Sequence, residues 1–342
     1  MKKECIVIKF GTATLTHSNG ELDISKIQKL SEQVCILSKE YNIILVSSGA
    51  VGTGKVFLKT YSGKINERKA AAAIGNPILI NAYSQFFQKN NLQVAQCLFE
   101  RKHFSNRKEF LQLRDTIETI WEHSIIPIAN ENDVVSDLEL KFSDNDELAT
   151  LLAISFNAKK LLIGSSVNGL MNNKKEYVSE VKEINADIMS WVNTEKTTHG
   201  LGGMTSKLTY TKLAVSMGIE TIIFNASEEN GIIKASKNET GTTFHPKMKT
   251  IKAGLRWIGA GGLAIGKIKI DDGAFNALKN RKSLLAVGLI KIKTPFEKGE
   301  VIEIINEKNE LVAFAKAKIN ASEIDFTQKS VEVAHANEIV IL

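Results

Sequence analysis

The chain has 342 residues, 43% of them hydrophobic and 24% charged, and a net charge of +6. That length asks for about two domains, and the composition supplies ample apolar material for a globular core. The positive excess is thinly spread, +3 over residues 1–250 and +3 over 251–342, which suits an anionic small substrate and argues against nucleic acid as the partner. No stretch approaches the roughly 18 consecutive apolar residues of a membrane span. The opening MKKECIVIKFGT has too short an apolar run for a signal peptide, so the cytosol is the expected compartment. Cys5, Cys35 and Cys97 are widely separated and show no CxxC spacing; reduced thiols are expected, with neither a disulfide framework nor a structural zinc site.

Taken in chain order, CIVIKF reads as a buried strand, Ile24–Lys39 as an amphipathic helix and NIILVSS as the next strand. A long helix over Glu67–Lys89 follows, then strand LQVAQCLF, helix Arg107–Glu122 and strand IIPIAN. Asn145–Phe156 reads as helix, KLLIG as strand, Ser206–Met217 as helix and ETIIF as strand. Short apolar runs alternating with helical periodicity predict an α/β fold, a mostly parallel sheet sandwiched by helices. Past Pro246 the texture changes. AIGKIKI, GLIKIK, EVIEII and ELVAFAKAKI alternate, separated by Gly, Asn and Lys turns, with one helix near Gly273–Asn280. This predicts a second, small, mainly-β domain. The polar HPKMKTIKAG stretch marks the boundary, giving residues 1–252 and 253–342.

In an open α/β sheet, ligands sit beyond the carboxyl ends of the strands. The residues just after each strand form a consistent set: Lys9-Phe-Gly11, Ser47-Ser48-Gly49, Asn130-Glu-Asn-Asp133 and Ser165-Ser166. Ser143-Asp-Asn-Asp146 and the run from Gly200 to Lys207 complete it. Glycines after strands let backbone N–H groups approach a polyphosphate, and a helix opening near Ser206 aims its positive end at the same point. Taken singly, each of these is ordinary: a solvated lysine, a turn glycine, an Asx turn. Their joint placement at strand ends carries the reading. Two look-alikes fail. GAVGTGK from Gly49 has Walker A spacing but continues with Val56, where a magnesium-binding Ser or Thr belongs. GAGGLA from Gly259 imitates a dinucleotide fingerprint but lies in the β-rich segment, with no helix to follow. The six histidines show no metal-ligand spacing.

IKFGTATLT, VSSGAVGTG, AAAIGNP, FLQLRDTI, IIPIANENDVV, FSDNDELATLLA and GGMTSKL stand in the order and spacing of the glutamate 5-kinases. These belong to the amino-acid kinase family, which has no Walker A loop. The tail, through RWIGAGGLAIGKIKIDDGA and FEKGEVIEI, resembles a PUA domain. The resemblance implies ATP-dependent phosphorylation of the L-glutamate side-chain carboxylate, the step that opens proline biosynthesis. It implies that Lys9 and Lys207 contact the phosphates from exposed strand and helix ends, with Asp144 holding both lysines in place. The Gly11 and Gly49 amides support the phosphoryl oxygens, Asn130 positions the reacting groups, and Ser48, Asp133 and Asn145 bind glutamate. Ser165, Ser166, Leu201, Gly202, Gly203, Met204, Thr205, Ser206 and Lys207 line the nucleotide. Magnesium arrives on ATP oxygens and water, with no protein ligand assigned. Proline as feedback inhibitor, a homo-oligomer and a glutamyl-phosphate reductase as pathway neighbour are further implications.

The chain departs from the family pattern on the nucleotide side, where Ser165-Ser166 replace Thr-Asp, Gly-Leu-Met-Asn-Asn replaces a GLYxxDP-like turn, and Leu201 replaces Thr. Two other readings stand beside the main one: a sister kinase acting on another carboxylate, carbamate or phosphate, and an RNA-binding protein with an inactive kinase fold.

Overall fold

The computed structural model describes residues 3–105, 107–135, 142, 144–192, 203–246, 264–328 and 330–341. The chain forms two compact units, one of Met1–Glu100, Arg114–Val215 and Ile219–Lys247, the other of Arg101–Leu113, Ser216–Gly218 and Met248–Leu342. A single boundary was expected in HPKMKTIKAG, and most of that stretch lies outside the described residues. The second unit also takes in two earlier segments, so the division is not one cut.

The first unit is built on one sheet, with strands β1 (Cys5–Phe10), β2 (Asn42–Ser47), β3 (Gln93–Phe99), β4 (Ile125–Glu131), β5 (Lys160–Ser165), β6 (Glu180–Val181), β7 (Glu220–Asn225) and β8 (Thr242–Phe244). Their order is β3-β4-β2-β1-β5-β7-β8-β6. Every pairing is parallel except β7 with β8. Strand β1 is buried at all its positions, as expected of a central parallel strand covered on both faces. The chain first builds outward from β1 through β2 to β4 and β3, then returns to the other side of β1 with β5. The β1/β5 junction is therefore the topological switch point, where such sheets bind ligands.

The helices are α1 (Thr12–Leu15), α2 (Ile24–Leu37), α3 (Ala50–Lys55), α4 (Ile65–Gln88), α5 (Lys102–Ser105), α6 (Arg107–Glu122), α7 (Asn145–Ser155), α8 (Ala186–Ser190), α9 (Met204–Ser216) and α10 (Gly231–Ser236). The expected long helices are all present, with α9 opening two residues earlier than predicted. Ile6, Ile8, Phe10, Tyr83, Phe87 and Phe224 are fully buried members of one core. Cys5, Cys35 and Cys97 are free thiols, and burial pushes Cys97 up to about 11.

Sequence reading missed α3, because its glycines make AVGTGK a poor helix by propensity. Packing overrides that. A Cβ on Gly54 would lie 1.8 Å from the Ala71 carbonyl oxygen of α4, and one on Gly75 would lie 1.8 Å from the Ala50 oxygen of α3. The two helices cross backbone on backbone, with each glycine admitting the other chain. Gly54 of the Walker-like run thus serves helix packing.

In the second unit, β9 (Ala264–Ile270), β11 (Leu289–Thr294), β12 (Val301–Ile305), β13 (Leu311–Lys316) and β15 (Ile339–Ile341) form a sheet ordered β11-β9-β12-β13-β15. Strands β10 (Leu284–Leu285) and β14 (Glu332–Ala334) make a small second sheet. The predicted helix runs over Asp272–Lys279, with the Asp271 carboxylate accepting from the Ala274 N–H at its start. Ile268, Ile270, Leu278, Ile302, Ile304 and Val333 form a core separate from the first. GAGGLA falls almost wholly outside the described residues. Among the described residues no helix is long and apolar enough to cross a membrane.

Candidate active site at the β1/β5 junction

Three charged groups define the site. Lys9, paired in register with Val46 of β2 and Ile163 of β5, sends its Nζ to Asp146 Oδ1 at 2.5 Å. Lys207, in the first turn of α9, places its Nζ 2.8 Å from Asp146 Oδ2. Asp146 is fully buried, and the lysines are only 4% and 8% exposed. They were expected at exposed ends, and the structure corrects that. They lie sunk beneath the strand ends because a shared buried carboxylate draws both inward.

The carboxylate that holds them is Asp146, whereas the resemblance implied Asp144. The reason is the start of α7. Asp144 is its N-cap, extended at φ −165°, and its Oδ1 accepts from the N–H groups of Asp146 and Glu147 at 2.8 and 3.2 Å. Its Oδ2 accepts from Ser206 Oγ at 2.5 Å. With both oxygens spent on backbone and hydroxyl donors, Asp144 acts on Lys9 only through space. Asp146 lies inside the first turn of a helix buried on every side, so its side chain points into the sheet. Burial alone would raise the Asp146 carboxyl, but Lys9 and Lys207 outweigh it and hold the group below the ordinary carboxylate range. Burial draws the Lys9 ammonium down, opposed by Asp146 and reinforced by the like charge of Lys207. Because the Asp146 carboxyl titrates lower in the folded chain than in the unfolded one, the pairing stabilises the fold at neutral pH. That contribution falls away as pH drops from the ordinary carboxylate range through the depressed folded value.

A lysine in the first turn of a helix opposes the helix dipole. Lys9 from β1 and Lys207 from α9 share the one Asp146 carboxylate, and the N-termini of α7 and α9 approach the same place. An anion placed there replaces lost solvation for both lysines.

Beside the charged cluster runs a chain of neutral groups. Asn145 Nδ2 donates to Ser48 Oγ at 2.9 Å, to the Ser47 carbonyl at 3.3 Å and to Asn130 Oδ1 at 3.0 Å. Asn130 Nδ2 donates to Asn76 Oδ1 at 3.0 Å. Asn76 had been read only as part of AAAIGNP, with no role. Gly49 stands at φ +108°, in the left-handed region that favours glycine, and opens α3. A Cβ on Gly11 would lie 3.6 Å from Lys9 Nζ, so the Gly11 backbone borders the cluster. Asp133 is half-buried in the turn after β4.

On the proposed nucleotide side, Ser165 ends β5 half-buried and Ser166 is exposed. Gly203 precedes α9, Met204 and Ser206 are half-buried on its first turn, and Thr205 is exposed there. Leu201 and Gly202 lie outside the described residues, as does Ser143. A polar cleft of about 470 Å³ opens beyond β5 and β7, lined in part by Asn168, Tyr177, Asn225, Glu228 and Thr240. Neither lysine nor Asp146 lines it, so we place the chemistry at the lysine cluster, where the charge is, and give the cleft no catalytic part.

The amino acid kinase family matches residues 4–225 and the PUA domain matches residues 266–336. The chain is 33% identical to glutamate 5-kinase 2 of Pseudoalteromonas translucida, over 99% of this chain and 94% of that protein. It is 37% identical to glutamate 5-kinase of Vibrio parahaemolyticus, over 91% and 85%, and 35% identical to that of Rippkaea orientalis, over 98% and 94%. Among solved structures, the carbamate kinase from Giardia lamblia bound to AMP-PNP superposes with a TM-score of 0.51 at 19% identity, covering 72% of this chain and 99% of that one. At that identity the likeness is one of fold.

Proposed function

This chain belongs to the amino acid kinase family and carries a PUA domain, and from that premise we propose that it transfers the γ-phosphoryl group of ATP to the side-chain carboxylate of L-glutamate. The product is L-glutamyl 5-phosphate, and the step opens proline biosynthesis. The observation that carries the reading is the pair of buried ammonium groups on Asp146 at the switch point of the sheet.

The chemistry fits those groups. A glutamate side chain, with a reference pKa of about 4.3, is already ionised at neutral pH and needs no general base. The barrier lies in bringing one anion to another, and phosphoryl transfer is helped mainly by positioning and by cations around the spreading charge. As a carboxylate oxygen bonds to the γ-phosphorus, the bond from that phosphorus to the β–γ bridging oxygen breaks. Lys9 and Lys207 receive the charge on the equatorial and leaving oxygens, with the Gly11 and Gly49 N–H groups beside them. Asp146, not Asp144, keeps the two ammonium groups aimed. Ser48 and Asn145 face the reacting end of glutamate, Asn130 fixes them, and Asp133 takes the substrate ammonium. Ser165, Ser166 and the start of α9 hold the nucleotide. Magnesium would be held by ATP oxygens and water, since Asp144 and Asp146 are engaged by other donors, and would supply further positive charge for phosphoryl transfer.

The wider assignments rest on the same reading. Residues 1–252 form the catalytic domain and 253–342 an accessory one. The protein works in the cytoplasm as a homo-oligomer and is inhibited by proline. An acyl phosphate hydrolyses and cyclises readily, so a reductase consumes it next.

The test is trapping. With Mg-ATP and hydroxylamine, purified protein should form glutamyl hydroxamate from L-glutamate at a rate at least about 100-fold above that with L-aspartate or N-acetylglutamate, a gap of about 2.7 kcal/mol in transition-state binding. Equal turnover of N-acetylglutamate would overturn the acceptor assignment.

A further inference from the structure

Asn76 stands outside the residues assigned so far. It is 6% exposed, on α4 immediately after Gly75, whose missing side chain lets α4 lie against α3. Its Oδ1 accepts from Asn130 Nδ2 at 3.0 Å. An amide has one oxygen end and one nitrogen end, so this bond at the nitrogen end complements the backbone contact at the oxygen end of Asn130. Asn130 Oδ1 is turned to the Glu131 N–H at 2.9 Å and to Asn145 Nδ2 at 3.0 Å. Asn145 in turn presents its nitrogen to Ser48 Oγ at 2.9 Å. Asn145 Nδ2 is thus the donor on both sides, inward to Asn130 Oδ1 and outward to Ser48 Oγ.

The sense matters at the last link. Ser48 Oγ accepts from Asn145, which leaves its own proton to be donated outward. A hydroxyl that donates is complementary to a carboxylate; one held as an acceptor is not. Asn76 touches no reacting atom in this arrangement, and its effect travels through the buried Asn130 amide and the half-buried Asn145 amide.

We propose that Asn76 is a positioning residue that braces the Asn130–Asn145–Ser48 hydrogen-bond chain by accepting from the buried Asn130 Nδ2, so that the Ser48 hydroxyl is held to meet the acceptor carboxylate as a donor. This deepens the glutamate reading and rests on it. Without the Asn76 oxygen, the buried Asn130 Nδ2 loses its acceptor; the Glu131 N–H still holds Asn130 Oδ1, but the side chain is no longer braced and its contact with Asn145 Nδ2 loosens. The loss falls on the acceptor side of the site, away from the lysine cluster.

Steady-state kinetics of Asn76→Ala should show a KM for L-glutamate raised at least about tenfold, with the KM for ATP within about twofold of wild type. Asn76→Asp keeps an oxygen for Asn130 to donate to, and should bring the glutamate KM back to within about threefold of wild type, although a buried charge lowers its Tm. Ser48→Ala combined with Asn76→Ala should be no worse in glutamate KM than Ser48→Ala alone, because one acts through the other. A purely structural role predicts the opposite pattern: KM following Tm across the variants, and additive losses in the double variant. Should Asn76→Ala not fold, Asn76→Ser, which also ends short of Asn130, is read in its place. An unchanged glutamate KM in the truncated variant, or no rescue by Asp, overturns the proposal. Failure of the underlying reading is distinguishable, because wild-type protein would then form no glutamyl hydroxamate at all.

Discussion

Asp146→Asn should give a protein that still folds at low temperature but has lost roughly 10³-fold in kcat, a loss of the size seen when a charge-stabilising group is removed from a reacting centre. The substitution keeps the shape of the side chain and removes its charge. Lys9 and Lys207, both nearly buried, would then face each other across a neutral amide. Breaking a buried ion pair by removing one partner costs about 3–5 kcal/mol, so urea midpoints should fall clearly. The pH dependence identifies the cause. Burial and Lys207 already draw the Lys9 ammonium down against the pull of Asp146; without that carboxylate Lys9 titrates lower still when folded, so the unfolded chain binds more protons and stability rises with pH. The gap to wild type should therefore narrow between pH 6 and pH 9. Asp144→Asn provides the contrast. Asparagine still caps a helix and leaves both ammonium groups on Asp146, so its stability gap should not narrow as pH rises. A pH-dependent gap in the Asp144 variant and none in the Asp146 variant would return the organising role to Asp144.

Gly75→Ala should be among the most damaging single methyl additions in the first unit. The added carbon would sit 1.8 Å from the Ala50 carbonyl oxygen and 2.8 Å from the Gly54 N, and neither backbone can rotate away. Relief requires α3 and α4 to part by more than about 1 Å, and forced overpacking of this kind costs about 1–3 kcal/mol or more. Since backbone is met on both sides, we expect about 3–5 kcal/mol, at the upper end of single-substitution effects. For a unit of this size that corresponds to a fall in Tm of roughly 10 °C. The shift should also reach the site, because Asn76 follows Gly75 directly and α3 follows Gly49. Gly63→Ala is the matched control: its Cβ meets nothing within 4 Å, though φ is +81°. It should cost only the roughly 1–2 kcal/mol of an alanine in the left-handed region. Equal losses at the two positions would mean that helix contact does not set the requirement for glycine.

Much of this architecture was legible in the sequence, for a physical reason. Strands such as CIVIKF and KLLIG are apolar throughout because parallel strands are covered on both faces, and the polar residues directly after them mark the ligand-facing edge. The assignment of Asp144 failed on a detail that spacing cannot show. Two carboxylates separated by one residue differ in role only through where the helix begins. A signal was present: Asp144-Asn-Asp-Glu147 has the Asp-x-x-Glu form of a helix start, which commits the first carboxylate to backbone N–H groups. Only the second is then left for the lysines. Lys9 and Lys207 were expected at exposed ends because a lone lysine is most often solvated, and nothing in the sequence shows that one carboxylate pulls both inward. Helix α3 and the amide chain through Asn76 were illegible for a related reason: the first depends on two helix backbones meeting at Gly54 and Gly75, the second on side chains 54 residues apart in sequence.

The central claim is that a carboxylate oxygen attacks the γ-phosphorus while the two lysines take up the charge. Oxygen labelling tests it directly. L-Glutamate carrying ¹⁸O in its side-chain carboxyl is incubated with the protein, unlabelled Mg-ATP and hydroxylamine, and the released phosphate is weighed by mass spectrometry. Hydroxylamine attacks the acyl carbon, so the oxygen between carbon and phosphorus leaves with the phosphate. The account predicts that each phosphate formed in a glutamate-dependent manner carries one ¹⁸O atom. Phosphate released without label, at the rate at which ADP appears, would show that water or another acceptor takes the phosphoryl group, and would contradict it.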